Sequence, residues 1–244
     1  AWKVAQSPRL ERLWVAPGNA GTAALGLPGG NVAISAEDVA GLLDFAHSNH
    51  VAMTIVGPEA PLALGLVDAF RAQRLAVFGP TQAAAQLESS KAFAKTFMTQ
   101  QGIPTARYVV CDSFSAALSH LYSADYPIVL KASGLAAGKG VIVPANRAEA
   151  EAALYQIMVQ GIFGSAGDTV ILEERLSGSE LSVLAFSDGQ HVAIMPPAQD
   201  HKRAFDGEQG PNTGGMGALA PAPLTDAALL EEIHRDILQP AIDG

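Results

Sequence analysis

Lys131-Ala-Ser-Gly-Leu-Ala-Ala-Gly-Lys-Gly-Val141 places two cations and three glycines within eleven residues. The apolar, β-prone run 126–130 precedes it and 141–143 follows, so the spacing predicts a strand, a flexible glycine loop and a second strand. Such a hairpin can fold over a polyphosphate. Gly134, Gly138 and Gly140 would let the backbone approach closely, and Lys131 and Lys139 would supply positive charge. The pattern is not a P-loop: Gly134 to Lys139 is one residue short of GxxxxGK, and Gly140 stands where a Ser or Thr would bind Mg²⁺. The plainer alternative is a solvated glycine-rich hairpin carrying two surface lysines.

Other segments bear on that choice. Glu88-Ser89-Ser90-Lys91-Ala92-Phe93-Ala94-Lys95 lies upstream, and Asp200-His201-Lys202-Arg203 and Gly210-Pro211-Asn212-Thr213-Gly214-Gly215-Met216-Gly217 lie downstream. With Ala16-Pro17-Gly18-Asn19-Ala20-Gly21-Thr22 and Val56-Gly57-Pro58-Glu59-Ala60-Pro61, these segments resemble the phosphoribosylamine–glycine ligase (glycinamide ribonucleotide synthetase) family of the ATP-grasp superfamily. The resemblance runs in order along nearly the whole chain. It implies ATP and Mg²⁺ as cofactors, and glycine and 5-phosphoribosylamine as substrates.

The resemblance also assigns roles. Lys91 and Lys131 match the two family lysines that contact the phosphates, where charge-assisted bonds are strong because both partners are ionised. Val170-Ile171-Leu172-Glu173-Glu174-Arg175-Leu176 looks like the edge strand and inter-lobe connector that holds adenine, with Glu173, Glu174 and Leu176 at the nucleoside end. A solvated acidic turn is the alternative for the two glutamates. Glu180 matches a carboxylate near the ribose or phosphates, able to accept both ribose hydroxyls.

Asp200, Lys202 and Arg203 lie by the family's acceptor site, where the cations could hold a phosphate or the negative charge developed in acyl transfer. By composition alone that run is a solvated loop. Asn212, Thr213, Gly214 and Gly215 belong to a segment that can turn several backbone N–H groups toward one anion. His201 could serve as a general base, but the attacking amine needs to be neutral and close more than it needs a strong base. Asn19, Thr22, Gly57, Pro58 and Glu59 are implied in binding the ribose phosphate, although Pro-Gly-Asn and Gly-Pro-Glu are also common turn sequences.

Composition sets the outer bounds. The 244 residues suffice for one large or two small domains with an ample core. A net charge of −9 without a Lys/Arg block argues against nucleic acid as a partner. The lone Cys111 excludes an intramolecular disulfide and suits a reducing compartment. No signal-peptide pattern and no run of about 18 apolar residues is found, so no membrane association and a cytoplasmic location are expected.

The first part alternates short strands and helices. Strands are expected at 13–16, 53–56 (buried) and 75–78, and helices at 36–47 (Ser35 as N-cap) and 62–73. This rhythm implies a small parallel sheet with helices on both faces, whose ligands bind beyond the carboxyl ends of the strands. A helix from about Ser89 to Gln101 leads into a second region: strand 108–111, helix 113–122, strands 127–131 and 141–143, helix 147–159 and strand 169–173. The expected fold is therefore α/β: a small parallel-sheet (pre-ATP-grasp) domain over 1–87, then an incomplete α+β ATP-grasp domain over 88–244.

Departures from the family pattern are Ser133 for the usual Asp, Pro197-Ala198 for Thr-Ser, and Leu219 for an aromatic residue. The resemblance further implies a first strand and phosphate-binding turn ahead of Ala1, and a Mg²⁺-binding Glu and Asn beyond Gly244. No metal ligand is therefore assigned, and a fragment with little turnover of its own is expected. A nucleotide-binding remnant without activity is the alternative to the ligase. A ligase of another ATP-grasp type is disfavoured by the 200–203 and 210–217 runs.

Overall fold

A computed structural model describes every residue except Leu27, Ala137 and Glu208, together with the side chain of Asn212. The chain divides into two compact units, Ala1–Ser89 and Ser90–Gly244.

The first unit runs α1 (Trp2–Ala5), β1 (Leu13–Val15), α2 (Ala20–Ala23), β2 (Gly29–Asn31), α3 (Val39–Ser48), β3 (Thr54–Ile55), α4 (Glu59–Ala63), α5 (Leu66–Ala72), β4 (Val77–Phe78) and α6 (Gln82–Ser89). Its strands form two separate parallel pairs, β1–β2 and β3–β4. Ala46, Leu66 and Phe70 make its core, with Val39, Leu42, Leu43, Val56 and Val77 packed around them. These positions recur at helical spacing in α3 and α5, which is why both helices bury one face.

Three local expectations are corrected. The N-cap of α3 is Asp38, whose side chain accepts from Gly41 N at 2.9 Å, and not Ser35. Ser35 instead accepts from Glu37 N, closing the turn before the helix. The single helix expected over 62–73 is two, because Gly65 takes φ +81, a left-handed conformation that a continuous helix does not allow. Strand β3 is not buried, since Met53 and Ile55 are more than half exposed.

The second unit runs α7 (Lys91–Gln100), β5 (Tyr108–Cys111), α8 (Phe114–Ser123), β6 (Ile128–Ala132), β7 (Val141–Ile142), α9 (Arg147–Met158), a 3₁₀ turn (Gly164–Gly167) and β8 (Val170–Glu174). Then follow β9 (Ala185–Ser187), β10 (Val192–Ile194), β11 (Gln199–Phe205), β12 (Gln209–Leu219), α10 (Ala227–Ile233), a π turn (His234–Leu238) and α11 (Gln239–Asp243). The order β5-β8-β6-β7 makes one antiparallel sheet. Strand β8 is thus internal and not the edge strand expected from sequence. Its burial on both faces explains the near-continuous apolar run 170–172.

Alternation divides that sheet into two faces. Ile128, Leu130, Ala132, Val170, Leu172 and Cys111 join Ala117, Leu121, Leu154 and Ile157 of α8 and α9 in the main core. Lys131, Ile171, Glu173 and Tyr108 have the opposite parity, and α7 packs on β8. Capping fixes the helix starts: Ser90, Ser113 and Asn146 each accept a backbone N–H from the first turn of α7, α8 and α9.

Glu174 closes the strand end. Arg107 donates to it in a fork at 3.0 and 3.1 Å and lies 4.1 Å over the Tyr126 ring. The Arg107 hydrogen bonds hold the Glu174 carboxyl below its ordinary value of 4.5, against the opposing pull of burial. A depressed folded-state value means stability present above 4.5 and lost as pH falls through the folded value. Acid unfolding followed by circular dichroism should therefore show a shallower fall below the carboxylate range in Arg107→Leu. An unchanged slope would mean that the fork does not persist in solution. Among the described residues no helix is long and apolar enough to cross a membrane.

Candidate functional site

The helix–sheet junction of the second unit gathers several charged residues. Lys91, the first residue of α7, donates from Nζ to Gly134 O at 3.3 Å, and its backbone N–H reaches Ser133 O at 2.9 Å. Ser133 Oγ accepts from Ala92 N at 3.1 Å, so the residue standing where the resemblance has Asp still helps cap α7. These bonds fasten the start of the glycine hairpin to the helix that carries Lys91.

Lys131 stands on β6 opposite Ile171, one diagonal step from Glu173, which faces Val129. Its Nζ is 2.7 Å from Glu173 Oε2. From α7, Lys95 Nζ reaches Glu173 Oε1 at 2.9 Å and also donates to Thr105 Oγ1 at 2.6 Å. The Glu173 and Lys95 side chains are 11 % and 9 % exposed, against 28 % for Lys131. Glu173 Oε2 is buried and has no aligned hydrogen bond, so its link to Lys131 is a charge contact.

Neither glutamate of the pair is a solvated turn residue. Glu173 points into the lysine cluster, and Glu174 is held by Arg107 on the other face of β8. Sequence reasoning overlooked Lys95. The only available signal was its i,i+4 spacing from Lys91, which puts both on one side of α7. Leu176, just beyond β8, is 68 % exposed.

The hairpin itself has two kinds of glycine. A Cβ at Gly134 would meet Ala166 at 2.7 Å, and one at Gly140 would meet Ala136 at 2.8 Å, so both sit where the chain packs closely. Gly138 takes φ +75 with open space around it, and Lys139 beside it is exposed. The donor set of two lysines and an open glycine turn suits a polyanion.

Residues of the second half form another cluster. Lys202 contacts Glu180 at 3.3 Å and Asp200 at 3.4 Å. Burial pulls the Lys202 amine down, but the hydrogen bond and charge of Glu180, then Asp200, outweigh it and lift the amine above its ordinary value. Arg203 donates to Gly210 O at 2.7 Å.

The 200–203 run is not the loop that composition suggests but part of β11, paired with β12, which carries 210–217. Their ladder shifts between His201↔Gly217 and Arg203↔Asn212, leaving 213–216 opposite Lys202 alone. Thr213 Oγ1 pins that bulge, donating to Lys202 O at 2.9 Å and accepting from Gly215 N at 3.1 Å. Gly214 lies in it with nothing near its missing Cβ. The Asn212 side chain lies outside the described residues.

In the first unit, Asn19 and Thr22 make a reciprocal capping box at α2, and Thr22 Oγ1 donates to Asn31 Oδ1 at 2.8 Å. Their side chains are thus engaged in shaping the turn. Pro58 caps α4 without a side-chain bond, Glu59 opens that helix, and Gly57 has open space around it.

The family description "Phosphoribosylglycinamide synthetase, N domain" matches residues 1–88, and "Phosphoribosylglycinamide synthetase, ATP-grasp (A) domain" matches 89–244. The phosphoribosylamine–glycine ligase of Allochromatium vinosum is 52 % identical over the whole chain, which covers 57 % of that relative. The trifunctional purine biosynthetic protein adenosine-3 of Gallus gallus is also 52 % identical, with 24 % of it covered. Among solved structures, the phosphoribosylamine–glycine ligase of Thermotoga maritima superposes with a TM-score of 0.81 at 28 % identity, over 99 % of this chain and 56 % of that one. A biotin carboxylase from Campylobacter jejuni, solved as a "beta-gamma-ATP complex", shares the fold at 19 % identity and a TM-score of 0.70, over 85 % of this chain and 46 % of that one. The chain spans just over half the length of its phosphoribosylamine–glycine ligase relatives.

Proposed function

The chain belongs to the phosphoribosylamine–glycine ligase family of ATP-grasp carbon–nitrogen ligases, and from that premise we propose that it supplies the ATP-holding part of an enzyme that joins glycine to 5-phosphoribosylamine. In the proposed reaction the glycine carboxylate takes the γ-phosphoryl group of ATP, releasing ADP and forming glycyl phosphate. The amine of phosphoribosylamine then attacks the acyl carbon, phosphate leaves, and the amide of glycinamide ribonucleotide forms. This places the protein in purine biosynthesis, in the cytoplasm.

The observation that carries the reading is the pair of lysines at the foot of the glycine hairpin. Lys91 rests on Gly134 O, and Lys131 lies on the strand entering the hairpin. In the proposal both bind phosphate oxygens, with Gly134, Gly138, Lys139 and Gly140 folding over them. Backbone groups from Glu174 to Leu176 read adenine, and Glu180 accepts from the ribose. Lys202 and Arg203, with the bulge of Thr213, Gly214 and Gly215, hold the acceptor's phosphate, and Asp200 keeps the Lys202 amine in place.

Mg²⁺, when bound, would neutralise β- and γ-phosphate oxygens. Among the described residues no group of three or more His, Cys, Asp or Glu gathers to hold a metal. No step is therefore assigned to the ion here.

The natural protein carrying this chain should release phosphate from ATP only when glycine and phosphoribosylamine are both present. Equal release with either one omitted would overturn the assignment. Hydrogen exchange gives a second check. Gly138 and Lys139 are exposed, and Leu135 is the loop's one large apolar anchor, so little burial opposes opening and the amides of Gly138 and Lys139 should exchange fast without nucleotide and slowly with it. Equal protection in both states would make the hairpin a purely structural element.

A further inference from the structure

Two cations share one buried carboxylate at the junction of α7 and the sheet, and they are held very differently. Lys95 has three attachments: Glu173 Oε1 at 2.9 Å, Thr105 Oγ1 at 2.6 Å, and the Tyr108 ring, whose centroid lies 5.4 Å away. The Lys131 side chain has its contact of 2.7 Å to Glu173 Oε2, and it is three times as exposed as that of Lys95. One lysine is therefore fixed and the other is releasable. A carboxylate this buried is costly when it has no cation beside it.

We propose that Lys95 is a positioning residue, which keeps Glu173 compensated so that Lys131 can leave it for an incoming phosphate. The inference rests on the reading of Lys131 as a phosphate-holding group. In the free protein Glu173 keeps the Lys131 amine parked at the mouth of the hairpin. When a triphosphate arrives, Lys131 exchanges Glu173 for a phosphate oxygen, and the Lys95–Glu173 pair stays behind. Without Lys95 the same movement strands a buried negative charge, so Lys131 is clamped and the phosphate contact weakens. Lys95 touches no ligand in this scheme.

The test uses Lys95→Met and the doubly neutral Lys95→Met/Glu173→Gln, which conserves net charge. Calorimetry compares β,γ-imido-ATP with adenosine, which has no phosphates. Lys95→Met should weaken the triphosphate about tenfold, the lower end for one charged hydrogen bond, and leave adenosine unchanged. Adding Glu173→Gln should restore triphosphate binding to the wild-type level. Equal losses for both ligands, or no restoration in the folded double variant, would overturn the proposal.

A second arm needs no nucleotide. Acetic anhydride labelling, read by peptide mass spectrometry, should slow at Lys131 in Lys95→Met and exceed the wild-type rate in the double variant. If the wild type binds neither ligand, the ligase reading fails and labelling alone decides the inference. If Lys95→Met does not fold, the double variant decides: Lys131 labelling no faster than in the wild type refutes the clamp.

Discussion

Glu173→Ala should lower the free energy of unfolding by about 3–5 kcal/mol, the range for removing one partner of a buried ion pair. Lys95 is 9 % exposed and anchored to Thr105, so it cannot turn to solvent when its carboxylate is deleted. Its charge would remain in the interior uncompensated. Urea denaturation followed by circular dichroism measures the loss directly. A change below about 1 kcal/mol, the scale of an exposed pair, would show that the cluster is solvated.

Lys131→Ala should instead spare the fold and strike binding. Glu173 keeps its contact with Lys95, so no buried charge is left alone. The affinity for ATP should fall by about 1.5–3 kcal/mol, the usual scale for a lost charged hydrogen bond, or roughly ten- to a hundredfold and more. Calorimetry on the folded variant checks it, and undiminished affinity would remove Lys131 from the phosphate site. The two variants separate the roles of neighbouring residues: Glu173 chiefly supports structure, and Lys131 chiefly supports binding.

Much of the second unit was legible because its signals are local. The β-prone runs that became β5, β6 and β8 are bounded by capping residues and helical periodicity, and each strand fell within a residue or so of its expected place. Pairing order was not legible. An apolar run of four or five residues reads the same at the edge or the centre of a sheet, and only long-range contacts put β8 between β5 and β6. The β11–β12 hairpin was missed for a related reason. A strand containing Gly210, Gly214, Gly215 and Gly217 lacks β-propensity, and cross-strand pairing alone draws it out.

The site shows the same division. Lys91, Lys131 and the glycines announced themselves through spacing, whereas Lys95 looked like any lysine on an exposed helix face. Its burial follows from α7 lying against β8, which no local pattern reports. Asn19 and Thr22 were visible as a turn, but the sequence could not say that their side chains would be engaged with each other and with Asn31.

The internal position of β8 has a bearing on folding fidelity. Because successive side chains alternate between faces, a one-residue slip of β8 against its neighbours would send Glu173 to the face lined by α8 and α9. Slipped one way, Glu173 would take the place of Leu172 opposite Leu130, among the core side chains; slipped the other way, Leu172 would face Lys95 and Lys131 and leave both without a counter-ion. The apolar residues that precede Glu173 can tolerate such a slip, since Ile171 and Leu172 are interchangeable in kind. The charged residue cannot. Glu173 thus distinguishes the native pairing from its nearest competitor, and it does so whether or not a ligand ever reaches the hairpin.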